Sequence, residues 1–505
     1  MKNNNLSDVL LINPGGRINI YQSLASEYTA IEPPIWVGLI ATYLRKKGHS
    51  VIVLDANAED LSPEEVATFV DIHSPLLAAV VVYGHNPSAS TQIMPAAGAI
   101  CSAIKDGKKE QRTLLVGGHV AALPEKTIHD EKCDFVVTGE GPVTLHELLI
   151  QLKTDNPNFS QVRGLLYRSS NAIEATLPAP IVRNLDHDMP SIAWDLLPME
   201  KYRAHNWHCF DSMERQPYAA IYTSLGCPCH CSFCCIQAPF KNGEVVAGYL
   251  ANANSYRMWD PQSVIAEIDI LVNKYGVRNI KFADELFVLN QAHVEIICDM
   301  IIDRGYDLNI WAYARVDTLK NELLPKLKKA GILWLALGIE SASERVRDDS
   351  SKGFSGSKIK DAVDRIKAHG IYIGANYIFG LPEDNIDTMQ ETLDLAIELN
   401  TEWANFNCAM AYPGSQLYQQ ALSDGWELPK DWISYSQYGS NSIPLRTRYL
   451  TSDEVLKFRD NAFLEYFRNP QYLEMILKKF GTVALDHIKR MTNNRLNRDY
   501  MGENK

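Results

Sequence analysis

The sequence predicts an α/β protein in which two parallel sheets follow one another. The first is an N-terminal doubly wound, Rossmann-like (flavodoxin-like) parallel sheet, and the second is a partial (β/α)6 TIM-type barrel followed by a C-terminal helical segment. Strands that are apolar on both faces alternate with amphipathic helices, as in parallel sheets covered on both sides. The chain of 505 residues is also too long for one ordinary core. We expect residues 1–150 to form the first domain, 151–215 a packed linker, 216–420 the barrel and 421–505 the helical region.

Strands and helices alternate through the first 150 residues. The predicted strands are 9–13, 50–55, 77–83, 113–118 and 134–138, and the clearest helices are 34–47 and 64–71. Ligands of such sheets bind outside the carboxyl ends of the strands, where glycine and small polar residues allow close approach. Those ends contain Gly84 to Ser90, Gly117-Gly118-His119 and Gly139-Glu140-Gly141. None matches G-x-G-x-x-G, so the fingerprint of a dinucleotide site is absent.

Six strand–helix units follow in residues 216–420. The predicted strands are 218–223, 277–283, 309–313, 333–338, 372–379 and 404–410, and the helices between them are 262–275, 291–304, 322–330, 357–369 and 388–399. In parallel barrels the chemistry gathers on loops that leave the carboxyl ends of the strands. Two further helices are predicted near 452–467 and 471–491, and nothing in them identifies a substrate.

A cysteine loop follows the first barrel strand. Cys227, Cys231 and Cys234 have the spacing C-x₃-C-x₂-C, with Phe233 just before the last cysteine. Three thiolates can hold three corners of a [4Fe–4S] cube, and its fourth iron is then open to a substrate or cofactor. A zinc site would need a second ligand pair, a disulfide framework suits small secreted chains, and inert buried thiols rarely crowd together. We therefore predict an iron–sulfur cluster, with Cys229 and Cys235 as bystanders.

The bulk composition excludes several classes of protein. The chain is 46% hydrophobic and 22% charged, and its net charge of −12 argues against a general nucleic-acid binder. Its apolar stretches are too short to span a bilayer, and the N-terminus lacks the apolar core of a signal peptide. We therefore expect a cytoplasmic protein, in which ten cysteines indicate metal or redox chemistry and not crosslinks.

Polar residues recur after the later barrel strands, and with the cysteine loop they resemble the radical S-adenosylmethionine superfamily over most of residues 216–420. The resemblance implies that Asp284 or Glu285 holds the methionine amine and that Arg315 pairs with the methionine carboxylate. It also implies that Glu340 and Ser341 contact the ribose, that Asn376 and Gly380 belong to the adenine-binding element, and that Phe233 is a cofactor-binding residue. The sequence departs from the family's Gly-Gly-Glu element, and Asn376 replaces the first glycine of its G-x-I-x-G-x-x-E element.

The first domain resembles the cobalamin-binding domain. Ser88-Ala-Ser90 is followed by 26 residues and then Gly117-Gly118, which matches the spacing of the elements that line the pocket for the nucleotide tail. The resemblance adds Gly139, Glu140 and Gly141 to the expected cofactor-binding residues. Family members that ligate cobalt through histidine carry Asp-x-His-x-x-Gly after the first strand, where this chain has Asn13-Pro-Gly-Gly-Arg17. We therefore expect bound cobalamin to lack a lower histidine ligand from the protein; a vestigial domain without cobalamin is the alternative.

The order of the two domains resembles cobalamin-dependent (class B) radical S-adenosylmethionine enzymes over nearly the whole chain. The resemblance implies three cofactors: a [4Fe–4S] cluster, S-adenosylmethionine and cobalamin. It also implies that a 5′-deoxyadenosyl radical takes hydrogen from an unactivated carbon, to which methylcobalamin delivers a methyl group. An electron donor such as flavodoxin or ferredoxin would reduce the cluster. The leading hypothesis is a C-methyltransferase that acts on a small or lipid-like metabolite.

Three alternatives remain at this point. One is a radical enzyme of the same architecture that does not methylate: an oxidative cyclase, a dehydratase or an enzyme of rearrangement. Another is a tRNA methylthiotransferase, although residues 1–215 hold only the widely spaced Cys101, Cys133 and Cys209, and no basic RNA-binding appendage is present. A non-enzymatic cobalamin or redox-sensing module would not need the S-adenosylmethionine elements.

Overall fold

The first domain is built on a seven-stranded sheet. The computed structural model describes residues 7–169 and 172–499. The strand order is β2-β1-β3-β4-β5-β6-β7, for β1 Val9–Asn13, β2 Val51–Asp55, β3 Leu77–Val82, β4 Thr113–Gly117, β5 Phe135–Val137, β6 Leu165–Arg168 and β7 Ile173–Ala175. Strands β1 to β5 are parallel, and β6 and β7 are antiparallel. The doubly wound parallel sheet is confirmed, and two strands from the predicted linker extend it.

Both faces of this sheet are covered, because the strands are apolar on both sides. In β1, Val9 and Leu11 pack into one core while Leu10 and Ile12 pack into another. The covering helices are Arg17–Tyr21, Leu24–Glu27, Ile35–Lys46, Ala56–Glu59, Pro63–His73, Ala89–Gln92, Met94–Gly107, Gly118–Ala122, Pro124–Asp130 and Pro142–Leu152. Alternation of side chains along each strand therefore gives the two-layered burial that the sequence predicts.

The second domain is an open barrel of six parallel strands. Their order is β8-β11-β12-β13-β14-β15, for β8 Tyr218–Ile221, β11 Asn279–Phe282, β12 Asn309–Arg315, β13 Ile332–Glu340, β14 Tyr372–Phe379 and β15 Trp403–Cys408. A short antiparallel pair, β9 Ser224–Leu225 and β10 Arg257–Met258, follows β8. The predicted partial barrel of six strands is confirmed.

Helices cover the outside of the barrel. They are Lys241–Val246, Pro261–Tyr275, Gln291–Arg304, Leu324–Lys329, Glu344–Asp349, Gly356–Ala368 and Ile386–Leu399. Inside, small side chains such as Ala336 and Gly374 leave the lumen open, and an added Cβ at Gly374 would meet nothing within 4 Å. Trp207 from the connector lies under Trp311 and Trp334, with ring centroids 5.3 and 5.2 Å apart. The connector therefore plugs one end of the lumen, and the site lies at the other.

The connector is packed and has little regular structure. Besides β6 and β7 it contains the helix Leu185–Asp188 and the 3₁₀ turns Phe159–Gln161, Trp194–Leu196, Met199–Lys201 and Trp207–Cys209. Glu267 on the first long barrel helix accepts hydrogen bonds from the backbone N–H of Ile192 at 2.7 Å and from Trp194 Nε1 at 3.0 Å. These bonds fix the connector to the barrel.

The C-terminal region returns to the first domain. Its helices are Gln416–Ser423, Ser452–Phe467 and Pro470–Asn493, the last interrupted at Gly481, where φ is 81°. Arg498 is buried, pairs with Asp460 at 2.9 Å and donates to the carbonyl of Gly439 at 2.7 Å. The N–H of Asn497 donates to Gln22 Oε1 at 3.1 Å. No helix in the described part of the chain is long and apolar enough to cross a membrane.

Candidate active site

A cavity of about 990 Å³ lies between the two domains, where the carboxyl ends of both sets of strands face each other. Its walls come from three parts of the chain. The first domain contributes the loops after β1 and β3, and the barrel contributes the cysteine loop and the ends of β11 to β15. The C-terminal helix Ser452–Phe467 and the residues around Arg495 complete the wall. Part of the predicted cobalamin element and part of the predicted S-adenosylmethionine element therefore face one shared space.

The cysteine loop is held by a buried polar network. The N–H of Cys227 donates to Gln237 Oε1 at 3.1 Å, and Gln237 Nε2 donates to Glu244 Oε1 at 2.6 Å. Gly226, with φ 86°, starts the loop, and a Cβ there would lie 2.3 Å from the carbonyl oxygen of Ser255. Only glycine fits this close approach, so the backbone path that brings the cysteines to the cavity depends on it.

The thiols themselves are differently placed on this loop. The Cys227 thiol is buried, Arg315 Nη1 lies 3.5 Å from Cys231 Sγ, and Cys234 opens into the cavity. The enclosed surroundings of Cys234 raise the pKa of its thiol, although the side chain is exposed to the cavity. Within residues 7–169 and 172–499, no three His, Cys, Asp or Glu side chains already converge as a metal site. The donor set still fits a [4Fe–4S] cluster, because three cysteines on one loop match the thiolate ligands of such clusters.

The structure separates the two carboxylates that follow β11. Asp284 is fully buried and accepts from the N–H of Thr223 at 2.9 Å and from the hydroxyls of Thr223 and Ser224 at 2.7 and 2.5 Å, so it ties β11 to the start of the cysteine loop. Glu285 lines the cavity, and no described protein group donates to its buried Oε2 atom. Burial raises the pKa of Glu285 to about 8. An orphaned carboxylate oxygen in a cavity fits an ammonium group of a ligand.

Two charged residues of the predicted set line the cavity with partners. Arg315 makes a bidentate pair with Asp317 at 2.9 and 3.0 Å, and it also contacts Cys231. Glu340 forms a buried ion pair with Lys352. Glu340 has φ 66°, a strained conformation that costs on the order of 1–3 kcal/mol for a non-glycine residue. The irregular register of β13 at this point directs the Glu340 carboxylate into the cavity.

Of the remaining barrel residues of the predicted site, two line the cavity and two lie outside it. Phe233 and Asn376 line the cavity, and Asn376 Oδ1 accepts from Asn405 Nδ2 at 2.9 Å. Ser341 is buried outside the cavity against Thr392, 3.2 Å away. Gly380 also lies outside it, and an added Cβ would lie 2.5 Å from Val455 Cγ1. Ser341 and Gly380 therefore shape the strand ends and do not face the shared space.

In the first domain the predicted serine and glycine elements do meet. The hydroxyl of Ser90 accepts from the N–H of His119 at 2.8 Å and donates to the carbonyl of Val82, while Ser88 lines the large cavity. A Cβ on Gly117 would lie 2.0 Å from the carbonyl oxygen of Val82, whereas one on Gly118 would lie 3.4 Å from Ser90 Oγ. Gly118 borders a small side cavity of about 30 Å³ next to the large one. This glycine-lined edge fits the approach of a cofactor.

The third strand end of the first domain has a different role. Glu140 is buried, accepts from the N–H of Val182 at 2.6 Å and pairs with Arg257 of β10 at 2.8 Å. Gly141 has φ 112°, and a Cβ on Gly139 would have its nearest neighbour at 3.8 Å, the carbonyl oxygen of Pro239. None of these three residues lines either cavity. Glu140 joins the two domains because its carboxylate is satisfied by the connector and the barrel.

Sequence reasoning missed several charged groups of the cavity. Lys352 pairs with Glu340, and Lys281 pairs with Glu32 at 2.7 Å. Burial would raise the pKa of Glu32, but Lys281 lowers it below its ordinary value. The signal in the sequence is Lys281, a charged residue inside a predicted strand. Its partner Glu32 is 249 residues away, so no local pattern could have found the pair.

Comparison with known proteins agrees with this architecture. The Radical SAM superfamily model matches residues 221–396, and the B12 binding domain model matches residues 21–149. The chain is therefore an enzyme of the radical S-adenosylmethionine superfamily, of the branch that also carries a B12-binding domain. Its cofactors are a [4Fe–4S] cluster, S-adenosylmethionine and cobalamin, as predicted. Enzymes of this class need a reductant and act on small substrates.

Relatives and a solved structure extend the comparison to nearly the whole chain. An uncharacterized methyltransferase of Pyrococcus horikoshii is 28% identical over 442 residues, 87% of this chain and 89% of that protein. The anaerobic magnesium-protoporphyrin IX monomethyl ester cyclase of Rubrivivax gelatinosus is 26% identical over 475 residues, 92% of this chain and 78% of that protein. The radical S-adenosylmethionine methyltransferase TsrM from Kitasatospora setae has the same fold, with a TM-score of 0.67 at 16% identity over 96% of this chain and 98% of that chain.

Proposed function

We propose that the protein is a cobalamin-dependent C-methyltransferase that acts on an unactivated carbon of a small or lipid-like metabolite. When bound, the cluster and S-adenosylmethionine supply a radical that activates a C–H bond, and cobalamin carries the methyl group. The methyltransferase relative, which aligns with 87% of the chain, supports this assignment.

One observation carries the proposal. The loops after β1 and β3 and the cysteine loop line a single cavity of about 990 Å³. Methyl transfer to a radical carbon requires that both cofactors reach the same substrate atom, since the two events occur on one carbon. A vestigial first domain would not need to open its carboxyl edge onto the barrel.

The residues of the cavity have separable tasks in this proposal. Cys227, Cys231 and Cys234 hold the cluster, and Glu285 receives the ammonium of S-adenosylmethionine at its orphaned Oε2 atom. Arg315 receives the methionine carboxylate, for which it must share its pairing with Asp317. Glu340, positioned by Lys352, accepts from the ribose hydroxyls. Trp207, Trp311 and Trp403 close the lumen and exclude water below the reacting groups.

A cyclase of the same architecture is the second candidate, because the relative from Rubrivivax gelatinosus aligns with 92% of the chain. A tRNA methylthiotransferase has less support. Cys101 and Cys133 are buried in the core of the first domain, and Cys209 lies in the connector core, so these thiols do not form a second cluster site. We also propose that a flavodoxin or ferredoxin donates the electron and that the enzyme works in the cytoplasm.

Product mass separates the two candidates. The reconstituted enzyme is incubated without oxygen with a low-potential reductant, trideuteromethyl S-adenosylmethionine and fractionated small-molecule and lipid extracts. Methyl transfer predicts a product heavier by one labelled methyl group, with 5′-deoxyadenosine and S-adenosylhomocysteine formed in equal amounts. A product without the label, formed with 5′-deoxyadenosine alone, would replace the methyltransferase with the cyclase. The variant Cys231→Ser should form neither.

A further inference from the structure

His85, on the loop after β3, lies at the edge of the first sheet where cobalamin is expected. The loop after β1, where cobalt-ligating family members carry histidine, has none in this chain. Strand β3 is hydrogen-bonded directly to β1, so their carboxyl ends lie side by side. His85 is the third residue after β3, and it lines the same cavity as Asn13 and Gly15.

We infer that the imidazole of His85 is the lower axial ligand of the bound cobalt. The inference rests on cobalamin binding, and it changes the expectation that the protein supplies no such histidine. Neutral imidazole is the commonest side-chain ligand for transition metals, and it must be unprotonated to bind. His85 meets this condition, because burial lowers its pKa to about 4.

The surroundings orient the ring as a ligand. Tyr21 Oη lies 3.5 Å from His85 Nε2, and no group in the described ranges bonds to Nδ1. Ligating histidines usually engage their second nitrogen with a hydrogen-bonding partner, which sets the tautomer. The backbone is held as well, since Lys281 Nζ donates to the His85 carbonyl at 3.2 Å. The barrel therefore fixes the loop that presents the imidazole.

The other histidines near the cavity are committed elsewhere. His119 borders only the small side cavity, where Nδ1 lies 3.1 Å from Thr91 Oγ1 and the ring packs edge-on against Trp432 at 4.4 Å. His205 lies 3.4 Å from Glu32 and stacks on Trp207 at 5.8 Å. His119 therefore lies outside the large cavity and His205 is already paired with Glu32, whereas His85 lies on the loop after β3, next to β1.

Electron paramagnetic resonance of the cobalt(II) form tests the inference on the full-length protein. The protein is loaded with hydroxocobalamin and reduced by one electron with a mild thiol reductant, which leaves the cluster in its diamagnetic oxidised form. The unpaired electron of cobalt(II) couples to an axial nitrogen. We expect each cobalt line to split into a triplet, and into a doublet when the protein is labelled with ¹⁵N-histidine. The variant His85→Gln should lose the splitting and keep its cobalt, and His205→Gln should keep both.

Each other outcome overturns the inference in a recognisable way. A triplet that persists in ¹⁵N-histidine protein identifies the cofactor's own benzimidazole as the ligand. Absence of splitting in the wild type means water or no axial ligand, and loss of the splitting only in His205→Gln moves the role to that residue. Absence of bound cobalt in the wild type overturns both this inference and the methyltransferase proposal. Bound cobalt without histidine splitting overturns this inference alone. The isotope experiment uses the unmodified chain, so misfolding of a variant does not affect it.

Discussion

Glu140 and Arg257 form a buried ion pair, 2.8 Å long, that joins the end of β5 in the first domain to β10 beside the cysteine loop. Their side chains are only 2% and 4% exposed. Both also hold the connector, because Glu140 accepts from the N–H of Val182 and Arg257 donates to its carbonyl. This pair, like the buried pair of Glu32 and Lys281, bridges the two domains that enclose the cavity.

Removal of one partner of this pair should destabilise the protein strongly. We expect Glu140→Ala to cost about 3–5 kcal/mol, because it leaves the Arg257 charge buried and unpaired. Thermal unfolding followed by calorimetry measures the effect. Glu398→Gln, which breaks the exposed pair with Lys360, is the matched control and should change stability by less than about 1 kcal/mol. Equal effects of the two variants would contradict the role of the buried pair.

The cysteines should separate into ligands and bystanders. Serine at Cys227, Cys231 or Cys234 should lower the iron content from about four atoms per chain to nearly none. A cluster with only two protein ligands is not retained. Serine at Cys229 or Cys235 should leave iron and sulfide content unchanged. Chemical analysis after anaerobic reconstitution measures both. Iron loss at Cys229 equal to that at Cys227 would show that the bystander assignment is wrong.

Glu285 should make the stability of the cofactor-free protein fall as pH rises. Its pKa is about 8 in the folded protein and near 4.5 when unfolded, so between these values the folded state alone keeps the proton. Stability is therefore lost as pH increases from about 4.5 to about 8. Melting temperatures at pH 5.5 and 8.5 test this. The melting temperature of Glu285→Gln relative to the wild type should be higher at pH 8.5 than at pH 5.5. A constant difference between the two proteins would contradict the shifted pKa.

Binding of S-adenosylmethionine should have the opposite pH dependence. The carboxylate of Glu285 must lose its proton to receive the ammonium, so affinity should rise with pH up to about 8. Glu285→Gln should weaken binding on the order of 10- to 100-fold, the value of a hydrogen bond to a charged group, and remove the pH dependence. Calorimetric titration of the cluster-loaded protein measures both. Affinity that stays pH-dependent in the variant would assign the titration to another group.

Gly118 should matter for cobalamin and not for the cluster. The Cβ and branches of leucine at this position would enter the side cavity beside Ser90. We expect Gly118→Leu to lower bound cobalt at least tenfold while iron content stays unchanged. Gly356→Leu is the control, because an added Cβ there meets nothing within 4 Å. Normal cobalt content in Gly118→Leu would place the nucleotide tail elsewhere.

Local patterns predicted the strands, the helices and the cysteine loop. Burial on both faces and ligand spacing both depend on residues that are close together in the sequence. They did not separate Asp284 from Glu285, since adjacent residues after a strand point to different sides and only the packed barrel shows which side is the cavity. The role of Glu140 depends on a partner 117 residues away. The positive φ of Glu340 occurs where the register of β13 against β14 shifts. Residue propensities carry no information about such long-range pairing. The features that could not be predicted from the sequence therefore depend on contacts between residues far apart in the chain.

The contact between Gln22 and Asn497 joins residues 475 positions apart, and Arg498 is buried beside it. A ribosome therefore releases the whole barrel before the last wall of the cavity can form. The first domain has its own apolar core on one face of its sheet and emerges much earlier. The carboxyl edge of the first sheet can therefore be fully enclosed only after residue 498 has left the exit tunnel.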